Sequence, residues 1–495
     1  MVGDQHGIEM PDWGRIRAGR GRLRGFRCIH THLGPDGLDQ DDVTDLTLLR
    51  LDAMIAVEVD DHGLPGNAHV ASLMPPNDHG KSVLNWEAKP PSRLTENFRD
   101  WIGSLEEELS RTDQAQEVGA TERALLVCVT AGRKREEFEA SQAELRELAY
   151  SAGVSVVDTV TQNRPRVDPR FVVGPGKLQD LVIRCFHSGV DLVIFDDNLT
   201  PAQVRNLAER LELRVIDRTQ LILDIFAQRA SSKEGKIQVE LAQLRYVLPR
   251  LSQRDTSLSR LAGGIGGRGP GETKLENDRR RVRERITRLE KEIKKFSRER
   301  SGRRARRQKR NLPILSIVGY TNAGKSTLLR TLTKTDAHVE DKMFATLDTS
   351  SRRLRFPRER EVIITDTVGF IRNLPSDLVA AFKATLEELS EANLFLHVID
   401  ASSEDAERHI RAVRSVLSEI GLSKTPEILV WNKCDRISEQ EAKALADRTG
   451  GTAVSAILGD GLGELLRNAE ELIWAEDETI HRRFANAQVV NGSRK

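Results

Sequence analysis

From Ala124 onward the apolar residues alternate between two periods. Ala124 to Thr130, Ser155 to Thr161, Asp191 to Phe195 and Arg214 to Asp217 are short strand-like runs, whereas Ala143 to Ala152, Leu178 to Ser188 and Pro201 to Leu211 have helical spacing. This alternation predicts a parallel α/β layer. Further on, Leu241, Leu244, Leu248 and Leu251 step by three and four, and Val282, Ile286, Leu289, Ile293 and Phe296 repeat that step beyond a break. Each is a heptad seam. The break, Gly263-Gly264-Ile265-Gly266-Gly267-Arg268-Gly269-Pro270-Gly271, has six glycines in nine residues and can continue neither helix. The prediction is an antiparallel helical hairpin with a flexible glycine-rich tip, Arg268 and Lys274 standing on or beside it. From Ile314 the α/β alternation returns, with strands at Ile314 to Val318, Val362 to Asp366, Leu394 to Asp400 and Ile428 to Asn432.

The expected organisation is a multidomain α/β chain. An amino-terminal extension covers 1–120, an α/β domain 121–232, the helical hairpin 233–310 and a second α/β domain 311–475, with a disordered tail over 476–495. The length of 495 residues agrees, since one core seldom serves so long a chain. Hydrophobic residues make up 38% and charged residues 31%, and no apolar stretch is long enough to cross a bilayer. Arg15, Arg17, Arg20, Arg22 and Arg24 precede no apolar run, so no secretory signal is read. The expected location is cytoplasmic, with peripheral attachment to ribosomes or a membrane left open. Cys28, Cys128, Cys185 and Cys434 lack metal-ligand or redox spacing and are expected to be reduced packing residues.

The net charge of +1 hides a basic block. From Arg279 to Arg310 there are 17 Lys or Arg against Glu284, Glu290, Glu292 and Glu299, an excess of 13 in 32 residues. So one-sided a run favours a polyanionic partner, nucleic acid above all, over a merely solvated helix face.

Candidate chemistry begins at Gly319-Tyr320-Thr321-Asn322-Ala323-Gly324-Lys325-Ser326, which matches G-x-x-x-x-G-K-[ST] between a strand and a helical run. Backbone N–H groups and a helix N-terminus would there converge on phosphate. Lys325 is expected on the terminal phosphates and the Ser326 hydroxyl on Mg²⁺. Asn432-Lys433-Cys434-Asp435 follows an apolar strand and selects the base. Asp435 can accept two hydrogen bonds from guanine, and adenine offers no such donor pair, so the expected nucleotide is GTP. Asn432 would brace the loop, the Lys433 stem would cover the ring, and Val454-Ser455-Ala456 would close over the base, although Ile457 departs from the lysine common in that motif. Asp366-Thr367-Val368-Gly369 supplies an acidic group for Mg²⁺ through water and the Gly369 amide for the γ-phosphate. Thr346, within Phe344-Ala345-Thr346-Leu347-Asp348, is the expected second hydroxyl ligand of the metal. Lys325, Thr346 and Gly369 are therefore the candidate catalytic residues. Loss of the γ-phosphate would release both segments, giving a switch. Many GTPases carry a Gln after that glycine to orient the attacking water. Here Phe370 can neither donate nor accept, so hydrolysis is expected to be slow until a partner supplies the missing group. Asn322 admits potassium stimulation as an alternative, or it only shapes the loop.

Ser316 to Arg330, Phe344 to Asp348, Asp366 to Ile371, Phe395 to Asp400 and Asn432 to Asp435 together resemble the HflX family of translation-associated GTPases. So do Asp168-Pro169-Arg170-Phe171-Val172-Val173-Gly174-Pro175-Gly176-Lys177 and the glycine-rich segment through Lys274. The resemblance covers about Ala124 to Ile473. It implies a P-loop GTPase domain and a protein that binds the large ribosomal subunit, its hairpin and Gly-rich loop directed at the rRNA, and that splits stalled or idle ribosomes; a monomer is expected. An RNA-binding assembly factor using GTP as a placement switch, or an ATP-dependent RNA remodelling enzyme, are the competing readings. Asp435 argues against ATP.

Residues 1–120 exceed the family pattern. His30-Thr31-His32, followed by Asp39 and Asp42, resembles the H-x-H…S-x-x-D zinc site of JAMM-type metalloproteases. Asp39 stands where serine is expected and the spacing is one residue short. A working metal site, a degenerate relic of that fold and unrelated surface residues all remain open.

Overall fold

Six consecutive buried side chains, Ala124 to Val129, make β5 (Arg123–Val129) a strand covered on both faces, as a parallel sheet flanked by helices requires. The computed structural model describes residues 23–74, 83–95, 97–117, 122–253, 274–308, 312–333, 343–344, 350–356, 360–366, 369–372 and 387–474. The chain divides into two compact units, Met1–Arg135 with Gly153–Ile216, and Glu136–Ala152 with Asp217–Lys495.

The first unit contains two sheets. β1 (Arg27–Leu33), β2 (Ala53–Val59), β3 (Pro65–Leu73) and β4 (Val83–Asn85) lie in that order, β1 parallel to β2 and the rest antiparallel. Helices α1 (Gln40–Leu48) and α2 (Phe98–Glu117) contribute Leu46, Leu105 and Leu109 to a core with Leu51, Met54 and Leu73. The second sheet has the order β6 (Ser155–Gln162), β5, β7 (Leu192–Phe195), β8 (Arg214–Asp217). Helices α4 (Pro175–Ser188) and α5 (Pro201–Leu211) pack on it through Leu178, Leu181, Leu207 and Leu211. Thr200 caps α5 in a reciprocal box with Gln203, and Pro201 follows at the first turn. Lys177, in the resembling Gly174-Pro175-Gly176-Lys177 segment, is paired with Asp180 at 2.8 Å.

In the second unit, α3 (Arg135–Ser151), α6 (Arg218–Arg229), α7 (Lys233–Val247) and α8 (Lys274–Gln308) precede the remaining α/β layer. The heptad seams are the contact between α7 and α8. Ile237, Leu241 and Leu289 are buried there, with Leu244, Ile286, Ile293 and Phe296 packed around them. Glu240 bonds Arg285 at 2.7 and 2.8 Å, and Arg245 bonds Glu290 at 2.7 Å. Glu240 and Arg285 each precede a seam residue, whereas Arg245 and Glu290 each follow one. The glycine-rich segment with Arg268 lies outside the described residues, as do the tail 476–495 and residues 1–22.

The last sheet has the order β10 (Ser350–Arg355), β11 (Glu361–Asp366), β9 (Ile314–Gly319), β12 (Leu394–Asp400), β13 (Glu427–Asn432), β14 (Thr452–Ala453). Only β10 runs antiparallel to its neighbour among these strands. Around the sheet stand α9 (Lys325–Thr333), α10 (Ala406–Glu419), α11 (Glu439–Thr449) and α12 (Leu462–Ile473), with a core of Leu315, Ile317, Leu328, Val398, Val430 and Leu465. Strand β9 lies between β11 and β12, so the order reverses there and a crevice opens at the carboxyl ends of the strands. No helix among the described residues is long and apolar enough to cross a membrane.

Candidate nucleotide site

The sequence Gly319 to Ser326 folds as expected, from the end of β9 through a turn into the first turn of α9. Gly324 has φ +91°, and a Cβ there would lie 2.3 Å from Asn432 Nδ2, so only glycine lets the loop pass this side chain. Asn432 uses that approach. Its Nδ2 donates to the Ala323 carbonyl at 2.9 Å, while its Oδ1 accepts the Ala456 N–H at 2.9 Å. One buried amide therefore ties the 319–326 loop to the 454–456 segment.

Lys325 is buried, and its Nζ donates to the Tyr320 carbonyl at 2.6 Å. Burial lowers its pKa to about 8, with Asp366 pulling the other way. The Ser326 hydroxyl donates to Asp366 Oδ2 at 3.0 Å. Both present hard oxygen donors beside the phosphate loop, a set that fits Mg²⁺. A Cβ on Gly369 would stand 3.0 Å from Lys325 Nζ, so the glycine of Asp366-Thr367-Val368-Gly369 reaches the terminal-phosphate end of the loop. The Thr321 hydroxyl is buried there without a hydrogen-bond partner among the described residues. Thr367 and Val368 lie outside the described residues, as do Ala345, Thr346, Leu347 and Asp348; Phe344 is buried. Asn322 is exposed with φ +61°, and Phe370 is buried. Phe370 acts through its backbone instead: its carbonyl accepts the Thr321 N–H at 2.8 Å and its N–H donates to Gly319 at 3.1 Å.

At the base end, the Ser455 hydroxyl donates to Asp435 Oδ1 at 2.6 Å, and the Cys434 N–H donates to the Val454 carbonyl at 3.2 Å. Asp435 is exposed and aimed by this bond. Lys433 adopts φ +63° and its Nζ pairs with Asp400 Oδ2 at 2.7 Å. Burial works to raise the Asp400 pKa, but the hydrogen bonds from Lys433 and Ser402 prevail and hold it low. The cysteines are all free, and burial pushes the Cys434 thiol up and the Cys185 thiol to about 12.

Sequence reasoning missed what surrounds Tyr320. Its ring stacks on His409 with centroids 4.0 Å apart, and its hydroxyl is hydrogen-bonded to Glu144 and accepts the Arg372 N–H at 2.8 Å. Burial, then the charge of Glu144, raises the Tyr320 pKa, while burial lowers that of His409. Glu144, on α3, also pairs with Arg218 of α6. Nearby, the Met343 N–H donates to Ser151 Oγ at 2.9 Å, and Phe344 meets Phe226 edge-on with centroids 4.6 Å apart. A cavity of about 220 Å³ opens at this junction, lined by Glu144, Tyr320, Asn322, Asp400, Arg408 and His409 among others. The one available signal was an aromatic residue at a variable position of the phosphate loop.

The chain is similar to several known proteins. Residues 139–227 match the family described as GTP-binding GTPase N-terminal, 229–307 the GTP-binding GTPase Middle Region, and 314–433 the 50S ribosome-binding GTPase. The GTPase HflX of Caldanaerobacter subterraneus subsp. tengcongensis is 48% identical over 380 residues, 77% of this chain and 85% of that protein. The GTPase HflX of Escherichia coli K12 is 44% identical over 362 residues, 72% of this chain and 84% of its own. A GDP complex of a GTP-binding protein from Sulfolobus solfataricus aligns at 24% identity and a TM-score of 0.39, over 71% of this chain and 99% of that one. With identity at this level over most of its length, and with a 50S ribosome-binding GTPase family model matched over 314–433, the chain belongs to the HflX family of GTPases and is a GTP hydrolase.

Proposed function

We propose that this GTPase binds the large ribosomal subunit through the basic α7–α8 region and its glycine-rich segment, and uses the GTP state to split stalled or idle ribosomes. The observation that carries the reading is the position of the basic helix. Helix α8 ends at Gln308 and β9 begins at Ile314, so the chain's strongest cationic run leads within a few residues into the strand that carries the phosphate loop. The name of the matched family, a 50S ribosome-binding GTPase, supports the same partner.

The site residues take the following roles in this reading. Lys325 contacts the terminal phosphates, the Gly369 amide meets the γ-phosphate, and Asp435, aimed by Ser455, accepts from guanine. Ser326 and Thr346, with Asp366 behind them, would hold Mg²⁺, which would supply charge neutralisation to the phosphates. Met343 and Phe344 on one side contact α3 and α6 and Arg372 on the other pairs with Glu144 of α3, so ordering of the segments around Thr346 and Gly369 by GTP would alter what those helices present. Phe370 cannot orient water, and the ribosome would supply that group, a contribution worth roughly 10³ to 10⁵ in rate when a partner provides it elsewhere.

Single-turnover GTP hydrolysis by the purified protein, with and without large ribosomal subunits, in parallel potassium and sodium buffers, tests this. Strong stimulation by the subunit is expected, followed by subunit separation when intact ribosomes are sedimented with protein and GTP. Stimulation without separation would favour an assembly factor that uses GTP only for placement. No stimulation despite sound GTP binding would sink the ribosomal reading, and equal rates in the two salts would remove a role for potassium at Asn322.

A further inference from the structure

Strand β1 alternates half-buried Cys28, His30 and His32 with exposed Arg27, Ile29, Thr31 and Leu33. Its parallel register sets His30 beside Ala56 and His32 beside Glu58, and β3 brings His69 opposite Ala56. Register partners share a face, so His30, His32, Glu58 and His69 belong to one side of this sheet. The carboxylate of Asp42 arrives there from the first turn of α1. A capping box holds it in place: Asp39 accepts the Asp42 N–H at 2.8 Å, and Asp42 Oδ2 accepts the Asp39 N–H at 3.0 Å.

Three ligating groups converge as a result. His30 Nε2 and His32 Nε2 are 2.9 Å apart, Asp42 Oδ1 is 3.1 Å from the first and Asp42 Oδ2 3.5 Å from the second. His30, His32 and Asp42 are the one such group among the described residues. A tetrahedral ion about 2.0–2.1 Å from nitrogen and oxygen ligands separates those ligands by about 3.3 Å, close to the spacing found. The outer contacts fix the tautomer a ligand needs. His32 Nδ1 faces the carbonyl oxygens of Gly37 at 3.1 Å and Asp36 at 3.4 Å, neither of which can donate. Its proton therefore sits on Nδ1 and the Nε2 lone pair points at His30 and Asp42. Cys28 Sγ, 3.9 Å from His30 Nδ1, offers that ring a weak acceptor on the same side. Asp39, Asp41 and Asp45 add negative charge around the group, and burial followed by the charges of Asp41 and Asp42 raises the Asp45 pKa. A bound cation would relieve that crowding.

We propose that His30, His32 and Asp42 bind one divalent first-row transition ion of the Zn²⁺ class, with a remaining coordination position open to water. Two imidazoles and one carboxylate favour such an ion over Ca²⁺ or Mg²⁺, which take oxygen ligands. The ion would join the edge strand β1 to α1, and so hold the amino-terminal sheet to its helix independently of the nucleotide site.

The test uses the full-length protein, freed of metal by chelation and titrated with Zn²⁺ by calorimetry. One ion per chain, bound with Kd below about 1 μM, is expected. His30→Asn and His32→Asn should each weaken binding by about 10²-fold or more, while Thr31→Ala, on the other face of the same strand, should bind as the wild type does. Should those variants fail to fold, the wild type loaded with Co²⁺ still decides by proton NMR: two isotropically shifted, solvent-exchangeable ring signals, one from the Nδ1–H of each ligating histidine, are expected. No saturable uptake, uptake indifferent to both histidine substitutions, or a Co²⁺ form without shifted histidine signals would overturn the site.

Discussion

Lys325 waits in the phosphate loop as a buried cation whose pKa burial has lowered to about 8. In the unfolded chain the same ammonium keeps its proton to an ordinary lysine pKa of about 10.4. Between these values the unfolded state binds more protons, so without nucleotide this group lets stability rise as pH rises through 8. Phosphates favour the charged form, and GTP binding above pH 8 must then take up a proton. Affinity is expected to fall up to about tenfold per pH unit there. Calorimetric titration at about pH 9 in buffers of different ionisation heat should register uptake approaching one proton; none would mean that the ammonium is already charged. The base end allows a second residue-scale expectation. Asp435→Asn removes the charged acceptor and should weaken GTP binding about 10²-fold or more, whereas Ser455→Ala only frees Asp435 to wander and should cost about threefold to tenfold. Titration with a fluorescent guanine nucleotide separates the two, and equal losses would count against Ser455 as a positioning group.

The elements around the site were unequally legible in the sequence. Strands β5, β7, β9, β12 and β13 fell within a residue or two of their apolar runs, because a strand covered on both faces must be continuously apolar, and β6 and β8 fell as close. The edge strand β10, Ser350–Arg355, was missed since Arg352, Arg353 and Arg355 give it no apolar run. Asn432, Lys325 and Asp435 were legible because their spacing is local. The contacts of Glu144 were not, because they join a helix to residues 176 and 228 positions away, and no local periodicity encodes such a pairing. Glu144 is itself a point of leverage. Its side chain is largely buried against Arg218, Tyr320 and Arg372, so Glu144→Gln leaves buried cationic charge less compensated. A loss of about 3 kcal/mol is expected. Chemical denaturation with and without GDP would measure it, and an unchanged midpoint would remove Glu144 as the link between α3 and the phosphate loop. In the α7–α8 seam, Leu289 is fully buried, and Leu289→Ala should cost about 2–4 kcal/mol, read as faster amide exchange along both helices.

Over the whole chain, near-neutral net charge conceals a division of labour. The excess of 13 positive charges over Arg279 to Arg310 is offset elsewhere, so the cationic surface is concentrated on one helix rather than spread as a diffuse field. Within α8, Arg245 and Glu240 of the neighbouring helix engage Glu290 and Arg285, whereas Arg281, Arg283, Lys294 and Lys295 are exposed. The paired charges hold the seam and the exposed ones remain available to a polyanion. If that polyanion is rRNA, each phosphate contact releases condensed counterions, and the logarithm of the association constant falls linearly with the logarithm of salt concentration. Replacing Arg281, Arg283, Lys294 and Lys295 together by Gln removes four such charges without touching the seam. The slope for binding to large ribosomal subunits should then become shallower by about 3 when all four meet phosphate, at roughly 0.7–0.9 per contact. Sedimentation binding at several potassium chloride concentrations measures the slope. A weaker affinity with an unchanged slope would place the helix away from the phosphates and move the ribosomal contact to another part of the chain.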